Sequence, residues 1–112
     1  MSAGLWHVTL TLAGDEISPD DVLAALERLA IERPFFLSGR YGGGRAELRY
    51  WEEAADCSDA CAMALRMWFD HRESASLPPW HVIALEVVDR DEHLRRDGAT
   101  LSAAGGWHRF DE

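Results

Sequence analysis

Polar and apolar residues alternate without a break from Trp6 to Leu12. Trp6, Val8, Leu10 and Leu12 fall on one side of the chain, and His7, Thr9 and Thr11 on the other. A period of two with β-branched residues predicts a strand over residues 5–13 with one buried face. Gly14, Asp15 and Glu16 end it, and the period then changes. Val22, Ala25, Leu26, Leu29 and Ala30 form a helical stripe. Ser18 stands at the cap, Pro19 at the first helical position, and Asp20 and Asp21 in the electropositive first turn. Pro34 stops this helix, because the residue before a proline disfavours helical angles.

Alternation returns at residues 35–41 and 44–51, joined through glycines. Phe35 and Leu37 belong on the same core side as Ala46, Leu48 and Tyr50. Directly opposed residues share a face, so opposed positions must sum to an odd number. A two-residue turn at Gly42-Gly43, which opposes Leu37 with Leu48, satisfies that rule. A second helix runs from Asp56 or Ser58 to about Arg72. Its expected core face holds Cys57, Cys61, Ala64, Leu65 and Trp68, widened by Met63, Met67 and Phe69. The apolar run at 80–88, WHVIALEVV, is the fourth strand.

The element order is βαββαβ. Right-handed crossovers favour the spatial strand order 4-1-3-2, with both helices on one face and the other face open. Over residues 5–88 this plan resembles the ferredoxin-like fold. The fold class expected is α+β: a four-stranded antiparallel sheet, two helices on one face, and a C-terminal extension. Residues 1–90 form the single domain. Residues 91–112 follow as a short helical segment ending near Gly98 and then a tail. That tail is either partly disordered or docked through Trp107 and Phe110.

Composition narrows the chemistry. The chain has 112 residues and a net charge of −9, with no Lys, Asn or Gln. Lysine Schiff-base chemistry and amide oxyanion donors are therefore excluded. The acidic balance disfavours nucleic acid, since no basic run is longer than Arg95-Arg96. RNA-recognition modules share the βαββαβ plan, but the third strand here reads GRAELRYW, with Glu47 where a stacking ring would help. No apolar run approaches the roughly 20 residues that span a bilayer, and the N-terminus does not read as a signal peptide. Cys57 and Cys61 are the only cysteines and suggest no disulfide framework, so a cytoplasmic location is expected. They read as small buried apolar side chains. No metal site and no cofactor are expected.

The open sheet face is where function is sought. Alternation projects onto it His7, Thr9 and Thr11, then Phe36, Ser38 and Arg40. It adds Arg45, Glu47, Arg49 and Trp51 from the third strand, and Val82, Ala84, Glu86 and Val88 from the fourth. Phe36, Trp51, Val82 and Val88 are costly to leave wet, and such mixed patches mark interfaces. The leading expectation is a non-enzymatic domain that binds a second copy or a protein partner through this face, most simply as a homodimer. The alternative is a small enzyme or anion-binding protein, with His7 and Glu86 as the general-base pair and Arg40, Arg45 and Arg49 holding the ligand. The repeated Trp-His-Val at 6–8 and 80–82 is not a metal pair, because antiparallel strands put His7 and His81 at opposite ends and alternation assigns them to opposite faces.

Overall fold

The computed structural model describes residues 4–34, 38–97 and 106–110. Strand β1 (Gly4–Ala13) leads into helix α1 (Pro19–Glu32), and strands β2 (Ser38–Tyr41) and β3 (Arg45–Ala54) form a hairpin. Helix α2 (Cys57–His71) and strand β4 (His81–Asp89) follow, then helix α3 (Arg90–Asp97) and strand β5 (Gly106–Arg109). The first four strands take the expected order. The sheet is nevertheless five-stranded and mixed, β4-β1-β3-β2-β5, because β5 adds to the outer side of β2 in parallel. The expectation of a purely antiparallel four-stranded sheet is corrected by this last strand.

The parity read from β1 holds. Val8, Leu10 and Leu12 are fully buried and sit beside Tyr50, Leu48 and Ala46 of β3. Each such aliphatic side chain contributes about 1.5–3 kcal/mol by leaving water. Val22, Ala25, Leu26 and Leu29 of α1 complete one half of the core. Ser18 occupies the cap position of α1 but caps with its carbonyl alone, accepting from the N–H groups of Asp21 and Val22. On α2 the cap is a side chain: Asp56 accepts from the Asp59 N–H at 2.8 Å.

The face of α2 differs from expectation. Ala60, Ala64, Met67 and Trp68 are the buried row, while Leu65 is 53% exposed and Phe69 71%. Two alanines let the helix axis approach the sheet. Trp68 then stacks on Trp80 with ring centroids 6.3 Å apart, and its indole N–H donates to the Pro78 carbonyl at 3.1 Å. This choice rotates the cysteines outward. Cys57 is exposed and Cys61 half-buried, so the reading of both as core residues is corrected.

The hairpin is shifted by two positions. Tyr41 opposes Ala46 and Gly39 opposes Leu48, while the Gly42 N–H donates to the Arg45 carbonyl across Gly43-Gly44. A slip of two preserves which residues face the core, whereas a slip of one would have inverted the strand. Phe35, Phe36 and Leu37 lie outside the described residues.

The far ends of the two covering helices are tied together by polar contacts. The Arg28 guanidinium donates to the carbonyls of Ala75 and Ser76, at 2.7 and 3.0 Å, where Ser76 adopts a left-handed φ of 52°. Glu32 accepts from the Ser74 hydroxyl at 2.7 Å and meets His71 Nδ1 at 2.6 Å. The Ser74 hydrogen bond first, and His71 second, hold the Glu32 carboxyl below the ordinary glutamate range. A carboxylate depressed in the folded state stabilises above its unfolded value and loses that contribution as pH falls through it. Wild type should therefore exceed Glu32→Gln in urea midpoint at about pH 6, with the gap closing towards about pH 3. A gap that does not change with pH would refute this.

Candidate functional site

The sheet face opposite α1 and α2 is not fully open. Helix α3 turns back over β1 and β4 and covers one end of it. His93 of α3 stacks on His7 with ring centroids 4.0 Å apart, and Trp51 meets both rings edge-on at 5.1 and 5.2 Å. Trp51 is consequently 9% exposed and Val88, which opposes His7 on β4, 7%. Both were expected to be free for a partner. Here the protein's own third helix lies over that end of the face.

Val82 is also corrected. The register between β1 and β4 shifts between Thr11 and Leu12: Ala84 opposes Thr11, while Val82 opposes Leu12. Ile83 is the extra residue of a β-bulge. The bulge puts Val82 on the core side, packed against the buried cluster, and expels Ile83, which is 56% exposed. It also puts His81, which pairs with Ala13, on the same face as His7. Six residues of extended strand, about 20 Å, still separate the two histidines.

The general-base arrangement is not assembled as expected. Glu86 opposes Thr9, so it lies diagonal to His7, and it meets Arg96 of α3 at 3.9 Å. Trp51 opposes His7, and Arg49 is two pairs further along, opposite Thr9 and bridged to Glu47 at 3.4 Å. Arg45 lies over the Phe110 ring at 5.8 Å. Arg40 is exposed, and His108 of β5 pairs beside it on the same face. Three exposed arginines thus share one face without converging on His7.

The tail is partly accounted for. Trp107 packs against the core cluster, and the Phe110 N–H donates to the Tyr41 carbonyl at 3.0 Å. The aromatics anchor the stretch at 106–110, and residues 98–105 lie outside the described residues. A cleft of about 290 Å³ opens at the start of β1, lined by Gly4, Leu5, Trp6, Asp89, Arg90 and Asp91. Among the described residues, no cluster of three or more His, Cys, Asp or Glu could hold a metal ion. Among the described residues, no helix is long and apolar enough to cross a membrane.

Sequence reasoning missed three residues that matter. His93 carried only a weak signal, inside a short charged helix. The bulge at Ile83 had a better one: Val82, Ile83, Ala84 and Leu85 are apolar in succession, and a run without alternation conceals a change of face. On the helical side, Arg33 bridges Glu52 at 3.0 Å and lies over the Tyr50 ring at 5.2 Å. Burial, reinforced by the Glu52 charge and opposed by Arg33, drives the Tyr50 hydroxyl well above the ordinary tyrosine range.

No curated protein is significantly similar to this chain. Among solved structures, an acylphosphatase from Coxiella burnetii is similar over 96% of this chain and 94% of that one, at 14% identity and a TM-score of 0.42. The family described as Domain of unknown function (DUF8830) matches residues 5–103. That stretch takes in the four-stranded core of the sheet, both covering helices and α3, and the chain belongs to this family.

Proposed function

We propose that this protein is a non-enzymatic self-association domain, in which two copies join through the free edge of β4. The observation that carries this reading is the edge itself. Among the described residues, strand β4 has a neighbour on one side only, and six of its nine residues are apolar. A long apolar edge offers unpaired backbone groups to another strand, and proteins ordinarily blunt such edges with Lys, Pro or a covering loop. This chain has no lysine, and its two prolines at 78–79 stop before the strand begins.

A second copy fits that edge in antiparallel register. With the two-fold axis at Leu85, Glu86 opposes Ala84 of the second copy, which keeps the two carboxylates apart. Ile83 then opposes Val87, and His81 lies towards Asp89 at each end. Isologous pairing of this kind closes on itself and makes one continuous ten-stranded sheet from two of five. The open faces stay available, and the bulge that expels Ile83 supplies an apolar anchor.

Sedimentation equilibrium in the micromolar range tests this. Wild type should dimerise, and Ile83→Lys should weaken association by at least about tenfold, since a desolvated charge costs more than about 1.4 kcal/mol. Ile83 is exposed, so the variant keeps its fold. A wild-type monomer throughout, or a dimer indifferent to the substitution, would reject the reading.

A second reading has its own support. Arg40, Arg45 and Arg49 are exposed on one face of a chain of net charge −9, beside His108. Such local concentration against the overall sign suits a carboxylated or phosphorylated small ligand. Thermal shift with citrate and inorganic phosphate, repeated with Arg40→Ala, tests it. No shift in wild type would count against it.

A further inference from the structure

We propose that Cys57 and Cys61 form a two-thiolate site for a soft monovalent metal ion, copper(I) being the fitting class. Both cysteines are free, and they stand on consecutive turns of α2, about 6 Å apart along the axis. Side chains at i and i+4 lie one above the other on the same helical face. Stacked on one face of the helix in this way, the two sulfurs can be bridged by one ion.

The two thiols are not used in packing. The core takes Ala60, Ala64, Met67 and Trp68 from this helix and leaves Cys57 exposed and Cys61 half-buried. An ion can therefore reach them from solvent without opening the core.

The number of ligands selects the ion. Structural zinc needs four ligands, and catalytic zinc three. Among the described residues no third His, Cys, Asp or Glu joins this pair. Calcium and magnesium take six or more oxygens. A soft d¹⁰ monovalent ion is satisfied by two sulfurs in line, and thiolates are the donors it prefers. The site thus suits copper(I), with silver(I) as its redox-inert analogue.

The step is a proton exchange without redox chemistry. Two S–H protons pass to solvent, two S–Cu bonds form, and the copper remains monovalent. One positive ion between two thiolates leaves a net charge of −1. That charge sits on the first two turns of α2, where unpaired N–H groups and the helix dipole favour it. The ion must displace the two thiol protons, so affinity should rise with pH.

The experiment is an anaerobic titration of the full chain with copper(I) against a chromogenic copper(I) chelator. Thiolate-to-metal ultraviolet absorption with silver(I) provides a second readout. One equivalent should bind, and Cys57→Ser and Cys61→Ser should each lower affinity by on the order of a hundredfold. Far-ultraviolet circular dichroism should show both variants folded, since neither side chain fills the core. Zinc in excess should not displace the copper. Retention of affinity within about tenfold in either variant, or displacement by zinc, would overturn the assignment. The dimer tested above does not involve α2, so failure of one proposal leaves the other standing.

Discussion

Replacing Trp68 by alanine should lower the unfolding free energy by about 3–5 kcal/mol, the range for truncating a buried large aromatic. Trp68 is buried to 2% exposure, stacks on Trp80, and donates its indole proton to the Pro78 carbonyl. Truncation opens a cavity between α2 and β4 and removes the donor to that carbonyl in one step. Trp80 loses its stacking partner while its own indole still holds the Asp15 carbonyl at 3.0 Å. Domains of this size are stable by only about 5–15 kcal/mol, so the variant should be marginal. Urea unfolding followed by circular dichroism measures it. Leu65→Ala on the same helix is the contrast, expected to stay within about 0.5 kcal/mol because the side chain is already largely in water. Equal losses in the two variants would mean that the helix face has been wrongly assigned.

The second large effect is expected at Gly39. A β-carbon there would lie 1.9 Å from the Glu47 carbonyl oxygen, and the obstructing atom is backbone in the paired strand. No rotamer change relieves such a contact. The hairpin must separate or slide, and Gly39→Ala should cost at least about 2 kcal/mol, within the range for overpacking. Gly42, three residues away, is the control. Its added carbon would meet only the Phe110 ring, at 3.5 Å. Gly42→Ala should be nearly neutral, or slightly stabilising through the unfolded chain. A Gly39 variant as stable as wild type would show that the two strands do not approach as described.

How much of this was legible depends on the range of the interaction. Val8, Leu10 and Leu12 declared their face because alternation is a local property, and the strand order followed from crossover handedness. The hairpin kept its parity but not its register, since Gly42, Gly43 and Gly44 offer several equivalent turns. The Gly39–Glu47 approach and the packing of Gly43 on the 14–17 segment help fix one of them. On α2, Cys57, Cys61 and Leu65 formed as good a stripe as Ala60, Ala64 and Met67. Size settled it: two alanines allow the close approach that brings Trp68 onto Trp80. The bulge at Ile83 lay in an apolar run with no alternation to betray it.

The functional surface was harder to see, for a related reason. Trp51, Val88 and His7 share the face opposite the two helices, as alternation predicts. Their accessibility depends on α3, whose eight residues include six charged ones and show little amphipathic pattern. Nothing within that segment announces that His93 will reach His7, because the contact is specified by the sheet beneath it. The self-association proposed above therefore uses the edge of β4 and not the end of the face that α3 covers.

The parallel pairing of β2 with β5 also bears on how the molecule is made. Ser38 pairs with Gly106, sixty-eight positions later in the chain. Closing so long a loop is entropically slow to repay, and non-local pairings of this kind delay folding. During synthesis the outer side of β2 stays vacant until residue 109 has emerged. At roughly 5–20 residues per second, the nascent chain spends several seconds with that strand unsatisfied, a window in which a holdase or a neighbouring nascent chain can compete for it.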